Sequence, residues 1–190
     1  MNLGHKPGRQ VQNVGRLDES KELPQPLPAE VEAYLTKISG PLRQAINTLR
    51  DFKDQRIITR FYLTGSFATG HLKVPAEDID FVVSLSNSVL RAGMGSEPPE
   101  MKEICDELDR IGRQAGTRFE VNFFPFGRVY RVQKDGGIRR TAEVLEEEML
   151  DNISPEAARR KILLDLMDTD TTRPDFFIRL YQSTRGLNIP

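Results

Sequence analysis

The stretch Asp78-Ile79-Asp80-Phe81-Val82-Val83 constrains this chain more than any other. Its residues alternate as a strand requires: Ile79, Phe81 and Val83 fall on one phase and can face a core. The same alternation puts Asp78 and Asp80 together on the opposite phase, with Cα atoms roughly 7 Å apart. Two like charges held on one face repel each other. The pair therefore calls for something positive, and a bound divalent cation is the most economical choice.

Two neighbouring segments bear on what such a cation would hold. Upstream, Arg60-Phe61-Tyr62-Leu63-Thr64-Gly65-Ser66 reads as a short strand entering a tight turn. Glycine permits close approach of a ligand there, and the backbone amides around Gly65 and Ser66 suit a phosphate. Downstream, Thr117-Arg118-Phe119-Glu120-Val121-Asn122-Phe123 alternates again, with Phe119, Val121 and Phe123 on one face and Glu120 and Asn122 on the other. Glu120 supplies a third carboxylate if its strand lies beside that of Asp80. Carboxylates on adjacent strands make a rigid cradle for two metal ions, which is what phosphoryl-group chemistry needs: positioning and charge neutralisation. Each residue also has a plainer reading. Asp78 can end a loop with Asp80 merely facing solvent, Glu120 can be an exposed strand residue or a partner for Arg118, and Ser66 can be a turn hydroxyl.

The rest of the chain sets the frame. Its 190 residues suit one domain with a core and a helical appendage. Residues 1–27 are polar and rich in Gly, Pro and Gln, and are expected to form a flexible tail with a weakly basic arm at His5, Lys6, Arg9 and Arg16. From Pro28, apolar residues recur at helical spacing through Leu49, and Gly40-Pro41 predicts a bend between two helices. A further helix is expected to end at Gly116, and a hairpin to close at Asp135-Gly136-Gly137. Three helical segments follow: one over Thr141–Leu150, one opened by Ser154-Pro155-Glu156, and one after Pro174. These segments predict one domain over 28–153, with a helical extension over 154–190 packed on it. Arg139-Arg140 and Arg159-Arg160-Lys161 could grip a tRNA or a triphosphate, or form solvated faces. The formal charge of -1 argues against holding nucleic acid by bulk electrostatics. Cys105, the only cysteine, allows no intrachain disulfide. There is no apolar run of membrane-spanning length and no secretory signal at the start, so a cytoplasmic protein is expected.

Leu63-Thr64-Gly65-Ser66, followed after eleven residues by Asp78-Ile79-Asp80-Phe81, resembles the signature of the DNA polymerase β-type nucleotidyltransferase superfamily. The similarity covers roughly residues 28 to 125. It implies an α/β (α+β) fold, the nucleotidyltransferase fold, in which helices flank a mixed sheet. It further implies two Mg²⁺ or Mn²⁺ ions and transfer of a nucleoside monophosphate from a nucleoside triphosphate (NTP) with loss of pyrophosphate. By this resemblance Gly65 and Ser66 hold the triphosphate, Asp78 and Asp80 both metals, and Glu120 the metal nearer the attacking hydroxyl. Many small members carry an arginine soon after the Gly-Ser turn. Here the segment runs Gly65-Ser66-Phe67-Ala68-Thr69-Gly70-His71-Leu72-Lys73, so His71 or Lys73 would supply the positive charge. The small size is similar to minimal nucleotidyltransferases of bacteria and their mobile elements, several of which belong to toxin–antitoxin or defence systems. The acceptor stays open among an RNA end such as tRNA, a protein hydroxyl and a small molecule. A cognate toxin or antitoxin is a further candidate partner. The alternative is a non-catalytic domain of the same fold serving as a regulatory or toxin–antitoxin interaction module.

Overall fold

The computed structural model describes residues 26–74, 78–92, 97–123, 129–140, 161–164 and 171–186. In chain order the elements are α1 (Ala29–Asp54), β1 (Ile58–Leu63), α2 (Gly65–Thr69), β2 (Ile79–Leu85), α3 (Asn87–Ala92), α4 (Pro99–Ala115), β3 (Phe119–Asn122), β4 (Val129–Val132), β5 (Ile138–Arg140), β6 (Lys161–Leu163) and α5 (Phe176–Arg185). The strands form one mixed sheet in the order β3-β2-β1-β6-β4-β5. β2 and β3 run parallel, as do β4 and β6, while the other neighbours are antiparallel. The long connection through α3 and α4 is what allows β3 to return parallel to β2.

α1 forms because its apolar residues keep helical phase over its whole length. Val31, Tyr34, Leu35, Ile38, Leu42, Ala45, Ile46, Leu49 and Phe52 are all buried along it. The break expected at Gly40-Pro41 is absent: one helix runs through both residues. Pro41 forfeits one backbone hydrogen bond, but Ile38 and Leu42 on either side are fully buried, and their burial outweighs that loss. Leu27, placed in the flexible tail by composition, is also buried and belongs to the core. The remainder of the expected tail, residues 1–25, lies outside the described residues.

The core lies between one face of the sheet and the helices. Phe61 and Leu63 of β1, Ile79, Phe81 and Val83 of β2, Phe119 of β3 and Ile162 of β6 meet Leu35, Ile38, Phe67, Ile104, Leu108, Phe177 and Leu180 in one cluster. The opposite phase carries Tyr62 and Thr64, Asp80 and Val82, and Glu120 and Asn122. Its centre is buried too, at Tyr62 and Val82, while Asp78, Asp80 and Glu120 are half-buried.

The largest departure from the sequence reading concerns the extension from residue 154. The helix expected after Ser154-Pro155-Glu156 is replaced at residues 161–163 by β6, which sits inside the sheet between β1 and β4. Lys161-Ile162-Leu163-Leu164 is short and apolar enough to fit either period, and pairing with β1 decides it. These residues belong to the sheet and not to a helical extension beside it. The hairpin of β4 and β5 turns through Asp135-Gly136-Gly137 as expected, and α5 ends at Gly186. The helix expected over Thr141–Leu150 lies outside the described residues. Among the described residues no helix is long and apolar enough to cross a membrane.

Candidate metal and nucleotide site

Asp78 stands just before β2, Asp80 is its second residue, and Glu120 is the second residue of β3. The parallel register sets Asp80 directly beside Glu120, so alternation points both side chains to the same face. Asp78, two residues earlier, shares that phase. One carboxylate oxygen from each of the three lies within 4.8 Å of the others. The triad expected from strand alternation is therefore assembled.

Backbone bonds lace the ends of three strands together around it. The Ile79 N–H donates to the Arg118 carbonyl at 2.8 Å, tying β2 to the start of β3. The Thr64 N–H donates to the Asp80 carbonyl at 2.9 Å, tying the end of β1 to the middle of the site. Immediately after Thr64 the chain turns into α2 through Gly65, whose φ is 63°. A side chain at this position would put its Cβ 1.7 Å from Asp80 Oδ2, so only glycine lets the Asp80 carboxylate lie against the turn. The sequence signal for a tight turn here has a specific cause: the turn and the carboxylate occupy adjoining space. Gly65 and Ser66 are half-buried, and the first amides of a helix have no acceptor within it.

The turn is held from behind by α5. Thr184 Oγ1 donates to the Phe67 carbonyl at 3.2 Å, and the Leu72 N–H donates to the Tyr181 hydroxyl at 2.8 Å. The Phe67 and Tyr181 rings meet edge to face, 5.4 Å between centroids. Burial raises the Tyr181 hydroxyl above its ordinary pKa, partly offset by the Leu72 N–H. Gly70 ends α2 with φ 73° and packs on the Arg185 backbone. The C-terminal helix thereby fixes the turn that adjoins the carboxylates.

Other groups reach the same region. Arg118 pairs with Glu120 at 3.4 Å, so the plainer role considered for Glu120 is present alongside its place in the triad. Arg118 is exposed and Glu120 half-buried, and a pair with one exposed partner contributes little to stability. On the helix side, the Tyr34 hydroxyl shares a hydrogen bond with Thr117 Oγ1 at 2.9 Å. Its pKa is raised, first by burial and further by the Asp78 charge, while the Thr117 bond works the other way. Tyr34 had the signature of a core residue only, and its hydroxyl beside the triad has no signal in the sequence. His71 and Lys73 are exposed on the segment after α2, and no described contact ties either to the carboxylates.

A cation does stand in the sheet itself. Lys161, the first residue of β6, is 8% exposed, and burial lowers its ammonium to about 8. The sequence offers it within Arg159-Arg160-Lys161 as a group that could grip a triphosphate, but on a helix; pairing with β1 places it in the sheet instead. Taken together, three carboxylates within 4.8 Å and a glycine cradle against Asp80 match the donor set of hard divalent cations, which favour oxygen ligands. No family model, curated protein or solved structure matches the chain, so the case for its chemistry rests on these residues.

Proposed function

We propose that the chain is a metal-dependent nucleotidyltransferase with the nucleotidyltransferase fold, moving a nucleoside monophosphate from an NTP to a hydroxyl and releasing pyrophosphate. The observation that carries this reading is the closure of Asp78, Asp80 and Glu120 to within 4.8 Å of one another beside the Gly65 turn. Asp78, Asp80 and Glu120 would hold Mg²⁺ or Mn²⁺, which when bound neutralise phosphate charge and acidify an attacking hydroxyl. Gly65 and Ser66 hold the triphosphate through backbone amides, with the glycine leaving room for both the phosphate and Asp80. Glu120, on the outer strand, faces the acceptor and takes the hydroxyl proton, directly or through water. The acceptor oxygen then bonds to the α-phosphorus, the bond from that phosphorus to the bridging oxygen breaks, and pyrophosphate leaves with the electron pair.

The test is a transfer assay. The purified chain is incubated with each common NTP labelled at the α-phosphate, with Mg²⁺ or Mn²⁺, and with RNA and protein acceptors. Metal-dependent pyrophosphate release with label appearing on an acceptor is expected. Nucleotide binding with no release under any combination would instead support a regulatory or toxin–antitoxin interaction module.

A further inference from the structure

The sheet registers place a lysine where the Gly65 turn needs a cation. Leu63 pairs with Phe81 on one side and with Ile162 on the other, so one residue further along Thr64 lies between Asp80 and Lys161. Asp80 in turn sits beside Glu120. Glu120, Asp80, Thr64 and Lys161 thus form one row across four strands. All four share a face, because Ile162, Leu63, Phe81 and Phe119 occupy the core phase next to them. Two strand spacings separate the Cα atoms of Asp80 and Lys161, about 10 Å, with the Thr64-Gly65 turn between them. A lysine side chain and a polyphosphate chain together cover that distance.

We infer that Lys161 is the phosphate-binding cation of the site, contacting the β- and γ-phosphates of an NTP whose α-phosphate lies at the carboxylates. This rests on the nucleotidyltransferase reading above. The burial of Lys161, at 8% exposure, makes a strong electrostatic partner of it, because a charge shielded from water acts over longer range than one on the surface. Its ammonium, lowered to about 8, still carries its proton at neutral pH. Exposed Lys73, which the sequence offers for the same task, lies on the far side of α2 in chain order and lacks this fixed position in the sheet. The acidic and basic ends of the row then match the ligand: metals gather at one end of the triphosphate and an ammonium meets the other.

Titration calorimetry with two simple probes decides the matter: Mn²⁺ alone, and inorganic tripolyphosphate with Mg²⁺. Lys161→Met is expected to weaken tripolyphosphate binding about tenfold or more while leaving Mn²⁺ affinity unchanged or improved. Lys161→Arg, which keeps the charge, is expected to recover part of the loss. If folded Lys161→Met binds tripolyphosphate as the parent does, the lysine role is wrong and the nucleotidyltransferase reading stands. If the parent binds no tripolyphosphate in the presence of Mg²⁺, that reading fails and the lysine role with it. Should neither variant fold, amine modification of the parent chain decides. Protection of Lys161 by Mg²⁺ and tripolyphosphate supports the role, and unchanged modification overturns it.

Discussion

Replacing Asp80 with Asn should make the metal-free protein more stable and the metal-bound protein less so. The three carboxylates approach within 4.8 Å. At that separation each pair of charges costs about 1 kcal/mol in bulk water and about 3 kcal/mol at an effective dielectric constant of 20. Asp80 has two such neighbours, and all three groups are half-buried, so the local dielectric lies between those limits. Arg118, 3.4 Å from Glu120, offsets part of the repulsion, and salt screens more. A net relief of about 1–2 kcal/mol follows, equivalent to a rise in Tm of about 3–6 °C for a chain of this size. Asn has the shape of Asp, so the contact with Gly65 survives. With Mn²⁺ at about a hundred times its Kd, the parent should gain about 2.7 kcal/mol and the variant much less. The assay is a thermal melt in chelator and in Mn²⁺ at low salt, paired with the transfer assay, in which Asp80→Asn should be inactive. A variant that melts below the parent in chelator would show that the carboxylate is structural. One that gains as much from Mn²⁺ as the parent would remove Asp80 from the ligand set.

Gly65→Ala should abolish metal-dependent activity and lower Tm by several degrees, because its Cβ would fall 1.7 Å from Asp80 Oδ2 at a backbone φ of 63°; activity near the parent's would refute the cradle. Lys161 should impose a pH slope on stability. Its ammonium loses the proton near pH 8 when folded and near 10.5 when unfolded. Between these values the unfolded chain holds more protons, so stability rises with pH, by at most about 1.4 kcal/mol per unit, and the slope disappears below pH 8. Denaturant melts of the parent and Lys161→Met across that window should differ by this slope, and equal slopes would contradict the assignment. Removing residues 1–24, whose composition is polar, should leave Tm nearly unchanged, whereas Leu27→Ala should cost about 2 kcal/mol because that side chain is in the core. A large drop on truncation would show that the tail is docked.

The site was legible where chemistry and period coincide. Asp78, Asp80 and Glu120 could be placed on one face because strand alternation is rigid, and Gly65 stood out because few residues tolerate its turn. What alternation could not supply was the order of strands. That β3 lies next to β2 had to be assumed, and it holds because the α3–α4 connection is long enough to cross over. Lys161 shows the opposite case. The run it opens is too short for periodicity to separate helix from strand, and only tertiary pairing with β1 and β4 makes it β6. Pro41 misled for a related reason: its local preference for a helix start is real, but a continuous apolar stripe on both sides overrides it. Tyr34 was legible as a core residue, yet its hydroxyl reaches Thr117 near Asp78 only through packing of α1 on α4.

The most direct test of the proposed metal and nucleotide site is anomalous diffraction from crystals grown with Mn²⁺ and a non-hydrolysable NTP. The expected map has manganese peaks within coordination distance of Asp78, Asp80 and Glu120, with the triphosphate running past the Gly65-Ser66 turn toward Lys161. Crystals saturated in both, with no manganese at the three carboxylates, would contradict it.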